Sequence, residues 1–282
     1  MKTFHTVQEL REALTSERQH GHRIALVPTM GNLHEGHISL VEAAKQHADI
    51  IVATVFVNPL QFGPNEDLDT YPRTLDADKT PLSAAGCHYL LAPSVEEVYP
   101  DGQATQTQVS VPGVTELYCG ASRPGHFDGV TTVVCKLFGM VQPDVALFGE
   151  KDFQQLFVIR KMTRDLCMPI DIVGVPIKRN AKGLALSSRN GYLSKSQLET
   201  ATILNQTLKA LKDQLIADIE PRDQLLKKAQ EALEAAGFTR DYLVLARQSD
   251  LQPAQANDTD LVILAAAFMG QTRLIDNIAF RL

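Results

Sequence analysis

Along the first 180 residues, hydrophobic positions follow two alternating periods. Short apolar runs, often β-branched, predict buried strands, and stretches with apolar residues three or four positions apart predict helices. The run 49–57 is almost unbroken, as at the centre of a parallel sheet. The predicted strands are 24–27, 49–57, 89–92, 145–148 and 171–177, and the predicted helices are 6–20, 36–47, 71–85, 129–141 and 153–165. This alternation predicts an α/β fold, a doubly wound Rossmann-like parallel sheet.

The pattern changes in the C-terminal third of the chain. The predicted elements there are two helices, 194–217 and 222–236, and three strands, 241–247, 261–268 and 273–280. The last two strands predict a hairpin around the sequence Met-Gly-Gln-Thr. Helices followed by antiparallel strands predict a second, smaller α+β domain. A loop-like segment, 178–187, leads into it, so we place the domains at residues 1–180 and 181–282.

A glycine-broken turn with two histidines joins the strand 24–27 to the next helix. His34 and His37 are three residues apart, a spacing that places both imidazoles on one helix face. The start of a helix also offers unpaired backbone N–H groups and the positive end of the helix dipole, which favour anions. These features predict a binding site for nucleotide phosphates, with both histidines as hydrogen-bond donors.

Three more polar clusters lie at predicted strand ends or at the domain junction: Asn58–Gly63, Gly149–Gln155 and Leu186–Asn190. Ligands of doubly wound sheets bind beyond the carboxyl ends of the strands. Lys151 and Arg189 would add positive charge where negative charge builds up on a phosphorus atom under attack. Together the clusters indicate a nucleotide-dependent transfer.

Each cluster also has a purely structural interpretation. Asn58 and Gln61 could cap a turn, and Lys151 could form an exposed ion pair with Asp152 that contributes little. Serines such as Ser187 could cap the following segment. A metal site at the two histidines is disfavoured because no third ligand is close in sequence.

Composition and missing motifs argue against several classes of protein. The net charge of −6 argues against broad binding to nucleic acid. The longest apolar run, 261–269, is too short to cross a membrane, and the N-terminal residues lack the apolar stretch of a secretory signal. The cysteines are widely spaced and predict buried, reduced thiols in a cytoplasmic protein. Motifs of P-loop enzymes, protein kinases and dinucleotide dehydrogenases are missing.

Six motifs resemble the pantoate–β-alanine ligase (pantothenate synthetase) family, part of a wider His-x-Gly-His nucleotidyltransferase superfamily. They are 28–37 (PTMGNLHEGH), 56–63 (FVNPLQFG), 71–74 (YPRT), 122–127 (SRPGHF), 148–155 (FGEKDFQQ) and 184–193 (LALSSRNGYL). The resemblance implies that ATP, accompanied by Mg²⁺, activates pantoate as pantoyl adenylate and releases pyrophosphate. β-Alanine then attacks to give pantothenate, a coenzyme A precursor, and AMP. The resemblance further implies a homodimer.

The resemblance also implies roles for individual residues. The implied catalytic residues are His34, His37, Lys151, Ser188 and Arg189. The implied ATP-binding residues are Met30, Gly31, Asn32, Leu33, His34, Glu35, Gly36, His37, Gly149, Glu150, Lys151, Asp152, Lys178 (through its backbone), Leu186, Ser187, Ser188 and Arg189. Gln61 and Gln155 would hydrogen-bond pantoate, and Asn58 would support that pocket.

Some positions stay open at this level. Arg123 and His126 receive no firm role. The metal ligands are unknown: Asp78 and nearby acids are candidates, although a solvated helix face is the favoured interpretation of Asp78. Asn32 replaces the Ala common in the family, and Leu186 replaces a common Met, a swap of similar volume.

Three other functions compete with the ligase. Another nucleotidyltransferase of the superfamily would share the histidine pair but would not need Gln61 and Gln155. A nucleotide-binding regulator without turnover would not need Lys151, Ser188 or Arg189. A tRNA-charging enzyme is disfavoured by the acidic chain and the lack of an obvious anticodon-binding domain.

Overall fold

The computed structural model describes residues 1–64 and 66–282. A six-stranded sheet, parallel throughout, carries the first structural unit, in the order β1-β4-β3-β2-β5-β6. The strands are β1 (Lys2–Phe4), β2 (Ile24–Thr29), β3 (Ile50–Val55), β4 (Tyr89–Leu91), β5 (Val145–Gly149) and β6 (Asp171–Val175). The prediction of a doubly wound parallel sheet is confirmed.

Helices connect these strands. They are α1 (Val7–Gln19), α2 (Glu35–Ala44), α3 (Leu75–Ala84), α4 (Val95–Val98), α5 (Cys119–Ser122), α6 (His126–Val141) and α7 (Phe153–Asp165). The helix predicted from residue 71 begins only at Leu75, because Pro72 disfavours helical backbone at the residue before it. The helix predicted from residue 129 begins earlier, at His126, after Gly125 in a left-handed conformation with φ 80°.

The centre of the sheet is buried on both faces. The strands β2 and β3 pair in register from Ile24 opposite Ile50 to Thr29 opposite Val55. Leu26 and Val52 lie opposite each other on one face, Val27 and Ala53 on the other, and all four are completely buried. Burial of a Leu or Val side chain contributes about 1.5–3 kcal/mol, which explains why this stretch is apolar without interruption.

The second unit has its own sheet and core. Three antiparallel strands, β7 (Thr239–Arg247), β8 (Asp260–Met269) and β9 (Thr272–Arg281), pair in that order, and the helices are α8 (Lys195–Ala217) and α9 (Arg222–Ala235). Leu204, Leu208 and Leu211 form one buried face of α8 because they recur at helical spacing. The predicted β8–β9 hairpin is confirmed, with Gly270 at φ 62° in its turn.

The two units interleave in sequence. The first comprises Met1–Glu150 and Gln155–Pro176, and the second comprises Lys151–Gln154 and Ile177–Leu282. The segment Lys151–Gln154 thus belongs to the second unit although the chain on both sides of it belongs to the first. The boundary expected from sequence, after residue 180, lies close to the later transition.

The structure shows the state of the cysteines and the hydropathy of the helices. All four cysteines are free thiols; Cys87 and Cys119 are buried as expected, but Cys167 is exposed. Burial raises the pKa of the Cys87 thiol to about 11. Among the residues that the structure describes, no helix has the length and hydropathy that crossing a membrane would require.

Candidate active site

The turn after β2 places the two histidines against each other. His34 is the N-terminal cap of α2, and its Nδ1 accepts the Gly36 N–H at 3.1 Å. The Nδ1 of His37 accepts the His34 N–H at 3.3 Å, so the pair forms a reciprocal capping box. The ring centroids are 4.1 Å apart. Since each Nδ1 accepts a hydrogen bond, the proton of each neutral ring lies on Nε2, which is therefore a donor.

A buried carboxylate holds the loop before this cap. Asp78 is 3% exposed. Its Oδ2 accepts the Asn32 N–H at 3.0 Å and the Thr74 hydroxyl at 3.1 Å, and its Oδ1 accepts the Leu33 N–H at 2.8 Å. The favoured sequence interpretation of Asp78, a solvated helix face, is therefore wrong. Both carboxylate oxygens of Asp78 therefore accept hydrogen bonds, and the two from backbone N–H groups fix the orientation of the loop.

The conformation of this loop depends on its residue types. Gly31 and Asn32 have φ values of 85° and 51°. Glycine and asparagine tolerate that region best. A Cβ on Gly31 would also lie only 3.0 Å from Val55 Cγ1 and 3.1 Å from Asp78 Oδ2. Asn32 therefore suits its position.

Asn58 organises the polar cluster after β3. It is 1% exposed and caps the single 3₁₀ turn Pro59–Gln61. Its Nδ2 donates to Gln61 Oε1 at 3.2 Å and to the Gly129 carbonyl at 3.1 Å. Its Oδ1 accepts the Tyr99 hydroxyl at 2.7 Å. Sequence analysis missed Tyr99, because the two residues are 41 positions apart and no local pattern links them.

The amide of Gln61 has a fixed orientation. Asn58 donates to its oxygen, so its nitrogen is the end left for other partners, and that nitrogen donates to Met30 Sδ at 3.1 Å. The turn of Gln61 packs directly on α6 at Gly129. A Cβ on Gly129 would clash with the Leu60 carbonyl and lie 2.7 Å from Gln61 N.

Arg123 and His126, which sequence analysis left without a role, hold the backbone of Gln61. Glu66 accepts two hydrogen bonds from the Arg123 guanidinium, at 2.7 and 2.5 Å. Arg123 Nη1 contacts His126 Nε2 at 3.0 Å, and His126 Nδ1 contacts the Gln61 carbonyl oxygen at 2.8 Å. Because a guanidinium only donates and a carbonyl only accepts, His126 is neutral with its proton on Nδ1.

The remaining sites of the first unit lie around the end of β5. Gly149 ends that strand, and Glu150 begins a 3₁₀ turn that runs into α7. Gln155 lies in the first turn of α7 and is half-buried. This places Gln155 just beyond a strand's carboxyl end, as the sequence pattern predicted.

The second unit carries the basic residues. Lys151 is 18% exposed, and its Nζ lies 3.7 Å from Asp152 Oδ2, a long ion pair. Its carbonyl oxygen accepts the Asn277 side chain at 2.9 Å. Lys151 is therefore held by its backbone as part of the second unit.

The segment with Ser188 and Arg189 follows a closed loop. The Lys178 carbonyl accepts the Leu186 N–H at 3.0 Å, and a β-bridge joins Arg179 to Ala185. Ser187 then caps the 3₁₀ turn Ser188–Tyr192, since its hydroxyl accepts the Arg189 N–H at 3.3 Å. This hydrogen bond is the capping contact that the structural interpretation of Ser187 predicted.

The comparisons with known proteins cover the whole chain. A family model described as pantoate-beta-alanine ligase matches residues 2–279. The pantothenate synthetase of Pseudomonas savastanoi pv. phaseolicola is 60% identical over 278 residues, 99% of this chain and 98% of that protein. That of Pseudomonas aeruginosa (strain UCBPP-PA14) is 57% identical and covers 100% of both chains.

Solved structures are similar along the same length. The pantothenate synthetase from Thermus thermophilus has a TM-score of 0.92 and 46% identity, covering 99% of both chains. A pantoate-beta-alanine ligase from Francisella tularensis, complexed with beta-gamma ATP and beta-alanine, has a TM-score of 0.83 and 31% identity over 99% of this chain and 97% of that one. The resemblance carried by the six motifs is confirmed: this chain belongs to the pantoate–β-alanine ligase family.

Proposed function

We propose that this chain joins pantoate to β-alanine in two steps at the expense of ATP. In the first, a pantoate carboxylate oxygen attacks the α-phosphorus, and the bond to the β-phosphate breaks to release pyrophosphate. In the second, the β-alanine amine attacks the acyl carbon, the bond to AMP breaks, and the amine loses a proton. Family membership supports this reaction, because relatives of this name match the chain from end to end.

The histidine pair is the observation that carries the proposal. Both rings have their protons on Nε2, and both stand at the N-terminus of α2. That arrangement suits an anion with several oxygens, because two neutral donors and the helix dipole act on it together. His34 and His37 would therefore donate to the phosphates of ATP, and His37 would stabilise the charge that develops during adenylation.

Pantoate would bind through neutral amides. The bond from Asn58 to the Gln61 oxygen orients this amide, and its nitrogen has two N–H donors, of which Met30 Sδ accepts one. Such a donor can bind a hydroxyl or carboxylate oxygen without a charge that must be desolvated. Gln155 would supply the second amide, and Asn58 would keep the pocket in shape through its bonds to Tyr99 and Gly129.

Lys151 and Arg189 would contribute fixed positive charge that neutralises the triphosphate, and Ser188 would donate a hydroxyl. Asp152 would bind the ribose or polar groups near it, and the Lys178 backbone would lie near the adenine. Most of the rate acceleration in such a reaction comes from positioning and charge stabilisation.

Magnesium would arrive as the complex with ATP. The buried carboxylate nearest the nucleotide loop, Asp78, is already bonded to loop donors. Within residues 1–64 and 66–282, no group of three His, Cys, Asp or Glu side chains could hold a metal ion. Mg²⁺ usually binds through phosphates and waters, so the residues present fit a metal that the triphosphate carries.

The assembly and compartment are part of the same proposal. The family resemblance supports a homodimer that works in the cytoplasm. Sedimentation of the purified chain measures the first: a particle of one chain's mass, 31.0 kDa, would exclude the dimer.

One assay separates the ligase from its rivals. Purified protein is incubated with magnesium, ATP and pantoate, with and without β-alanine, and AMP, pyrophosphate and the acid products are measured. We expect sustained AMP release only when both acids are present. A product that keeps the nucleotide would instead identify a nucleotidyltransferase, and no turnover would identify a regulator.

A further inference from the structure

A side-chain hydrogen bond from strand β9 links the backbone of Lys151 to the rest of the second unit. The chain on both sides of Lys151–Gln154 belongs to the first unit, yet this short segment does not. Asn277, on strand β9 and 5% exposed, donates from Nδ2 to the Lys151 carbonyl at 2.9 Å. The bond spans 126 sequence positions and acts on the backbone of the residue that carries the ammonium group.

Asn277 is itself held by a buried polar network. Its own N–H donates to Asp276 Oδ1 at 2.8 Å. Asp276 is 4% exposed and accepts two hydrogen bonds from the Arg179 guanidinium, at 2.6 and 2.8 Å, and a longer one from Asn205 at 3.3 Å. A buried carboxylate with this many donors is rigid, because removing any partner would leave charge without compensation.

The same network reaches the other basic segment. Arg179 begins the loop that closes through its bridge to Ala185, and its Nη1 also donates to the Gly183 carbonyl at 3.2 Å. That loop leads directly to Ser187. Strand β9 also contacts the 3₁₀ turn Ser188–Tyr192. Asp276 and Asn277, adjacent on one strand, therefore fix both segments to a common framework.

We propose that Asn277 is a positioning residue for Lys151. Through the Lys151 carbonyl it makes the ammonium group part of the same rigid body as Ser188 and Arg189, so that these groups reach the triphosphate in one arrangement. The inference rests on the proposed role of Lys151 in binding phosphate. It explains why a four-residue segment leaves its neighbours in sequence to join the other unit.

A double-mutant cycle tests this role. Asn277→Ala, Lys151→Ala and the double variant are compared by pyrophosphate release at saturating pantoate over a range of ATP concentrations. We expect Asn277→Ala to lower kcat/KM for ATP by about tenfold, the effect of about one hydrogen bond, with the KM for pantoate unchanged. In the Lys151→Ala background the same change should have an effect below about twofold, because the ammonium group that Asn277 positions is absent.

Arg273→Ala supplies the matched control. Arg273 lies on the same strand and forms a half-buried ion pair with Asp241 at 2.7 Å. Its loss should lower the melting temperature while kcat/KM for ATP stays within about twofold. Where Asn277→Ala does not fold, Asn277→Leu removes the donor at nearly constant volume and enters the same cycle.

The outcomes are distinct. Independent, multiplicative losses in the double variant, or equal losses for Asn277→Ala and Arg273→Ala, would overturn the positioning role while leaving the proposed reaction intact. Full activity in Lys151→Ala would instead remove the phosphate role on which the inference rests. An Asn277 effect confined to melting temperature would also overturn the inference.

Discussion

Among single residues, the histidines of the βα turn combine an observed structural role with a proposed chemical one. The Nδ1 of His34 caps α2, while its Nε2 carries the proton that a phosphate oxygen can accept. The two roles use different atoms of one ring. They can therefore be separated by substitution.

His34→Asn should keep the N-cap of α2 but lose the Nε2 hydrogen-bond donor. Asparagine is a strong N-cap, so unfolding free energy should stay within about 0.5 kcal/mol of the parent, whereas His34→Ala should lose about 1 kcal/mol. Both variants should slow adenylation by about 100-fold or more, because each lacks the Nε2 donor. Urea unfolding and single-turnover pyrophosphate release measure the two effects. A fully active His34→Asn would show that capping alone is what the ring provides.

The amide of Gln155 permits a test of the acid-binding side. Gln155→Ala should raise the KM for pantoate by about tenfold, the effect of a lost hydrogen bond, with ATP binding nearly intact. Initial rates and nucleotide titration measure this. Lys161→Ala, at a half-buried position on the same helix that pairs with Asp165, is the control and should change neither. Weakened ATP binding with unchanged pantoate KM would refute this placement.

The sequence predicted the histidines but not the carboxylate that supports them. The spacing of His34 and His37 is visible along the chain, whereas Asp78 meets the backbone of Leu33 only in the fold, 45 positions away. The i,i+3 spacing predicted both imidazoles on one helix face, whereas His34 has extended backbone and caps α2 from outside the helix.

At the level of elements, helix α6 shows how a glycine can fix the approach of two segments. Gly129 faces the 3₁₀ turn of Gln61 without space for a Cβ, whereas Gly139 on the same helix has no neighbour within 4 Å of that position. The absence of a side chain is thus required at one position and unnecessary at the other.

Alanine substitutions at these two glycines should have opposite signs. Gly129→Ala should destabilise the protein by about 1–3 kcal/mol through overpacking and raise the KM for pantoate, since the turn of Gln61 must move. Gly139→Ala should stabilise it by up to about 1 kcal/mol through helix propensity. Thermal unfolding and pantoate kinetics measure both. Equal stability changes in the two variants would contradict the packing argument.

Most elements were predictable because their apolar periods are long and regular. The exceptions are mostly short: helices α4 and α5, of four residues each, were not predicted, because a single turn shows no period. Strand β1 is only three residues long, Lys2–Phe4, and pairs with β4 far along the chain, so no local period marks it. Helix α6 was predicted too short, because its first turn contains few apolar residues before Gly129.

For the whole molecule, the segment that carries the serines proposed to bind phosphate offers a direct test of ATP binding. The backbone of 180–192 should exchange its amide hydrogens more slowly when ATP and magnesium are present, because its donors and side chains would bind the triphosphate. Hydrogen exchange with mass spectrometry measures this. Helix α9 is the internal reference and should not change. Equal exchange in 180–192 with and without ATP would count against the assigned role.

The division into two domains was predictable from the sequence, but the assignment of Lys151–Gln154 to the second unit was not. The change from alternating strands and helices to consecutive helices indicated a second domain. No local signal shows that Lys151–Gln154, which runs from the 3₁₀ turn after β5 into the start of α7, joins it, since the hydrogen bond from Asn277 comes from a residue 126 positions away. Non-local contacts of this kind are invisible to periodicity.

Because Lys151–Gln154 belongs to the second unit, the polypeptide passes from one unit to the other three times: after residues 150, 154 and 176. A gene fragment encoding 177–282 would therefore omit a piece of its own fold. In that truncated product, Asn277 would lose its carbonyl acceptor at Lys151. Cutting this enzyme after residue 176 should therefore not give two independently folding domains, even though the second unit has its own hydrophobic core.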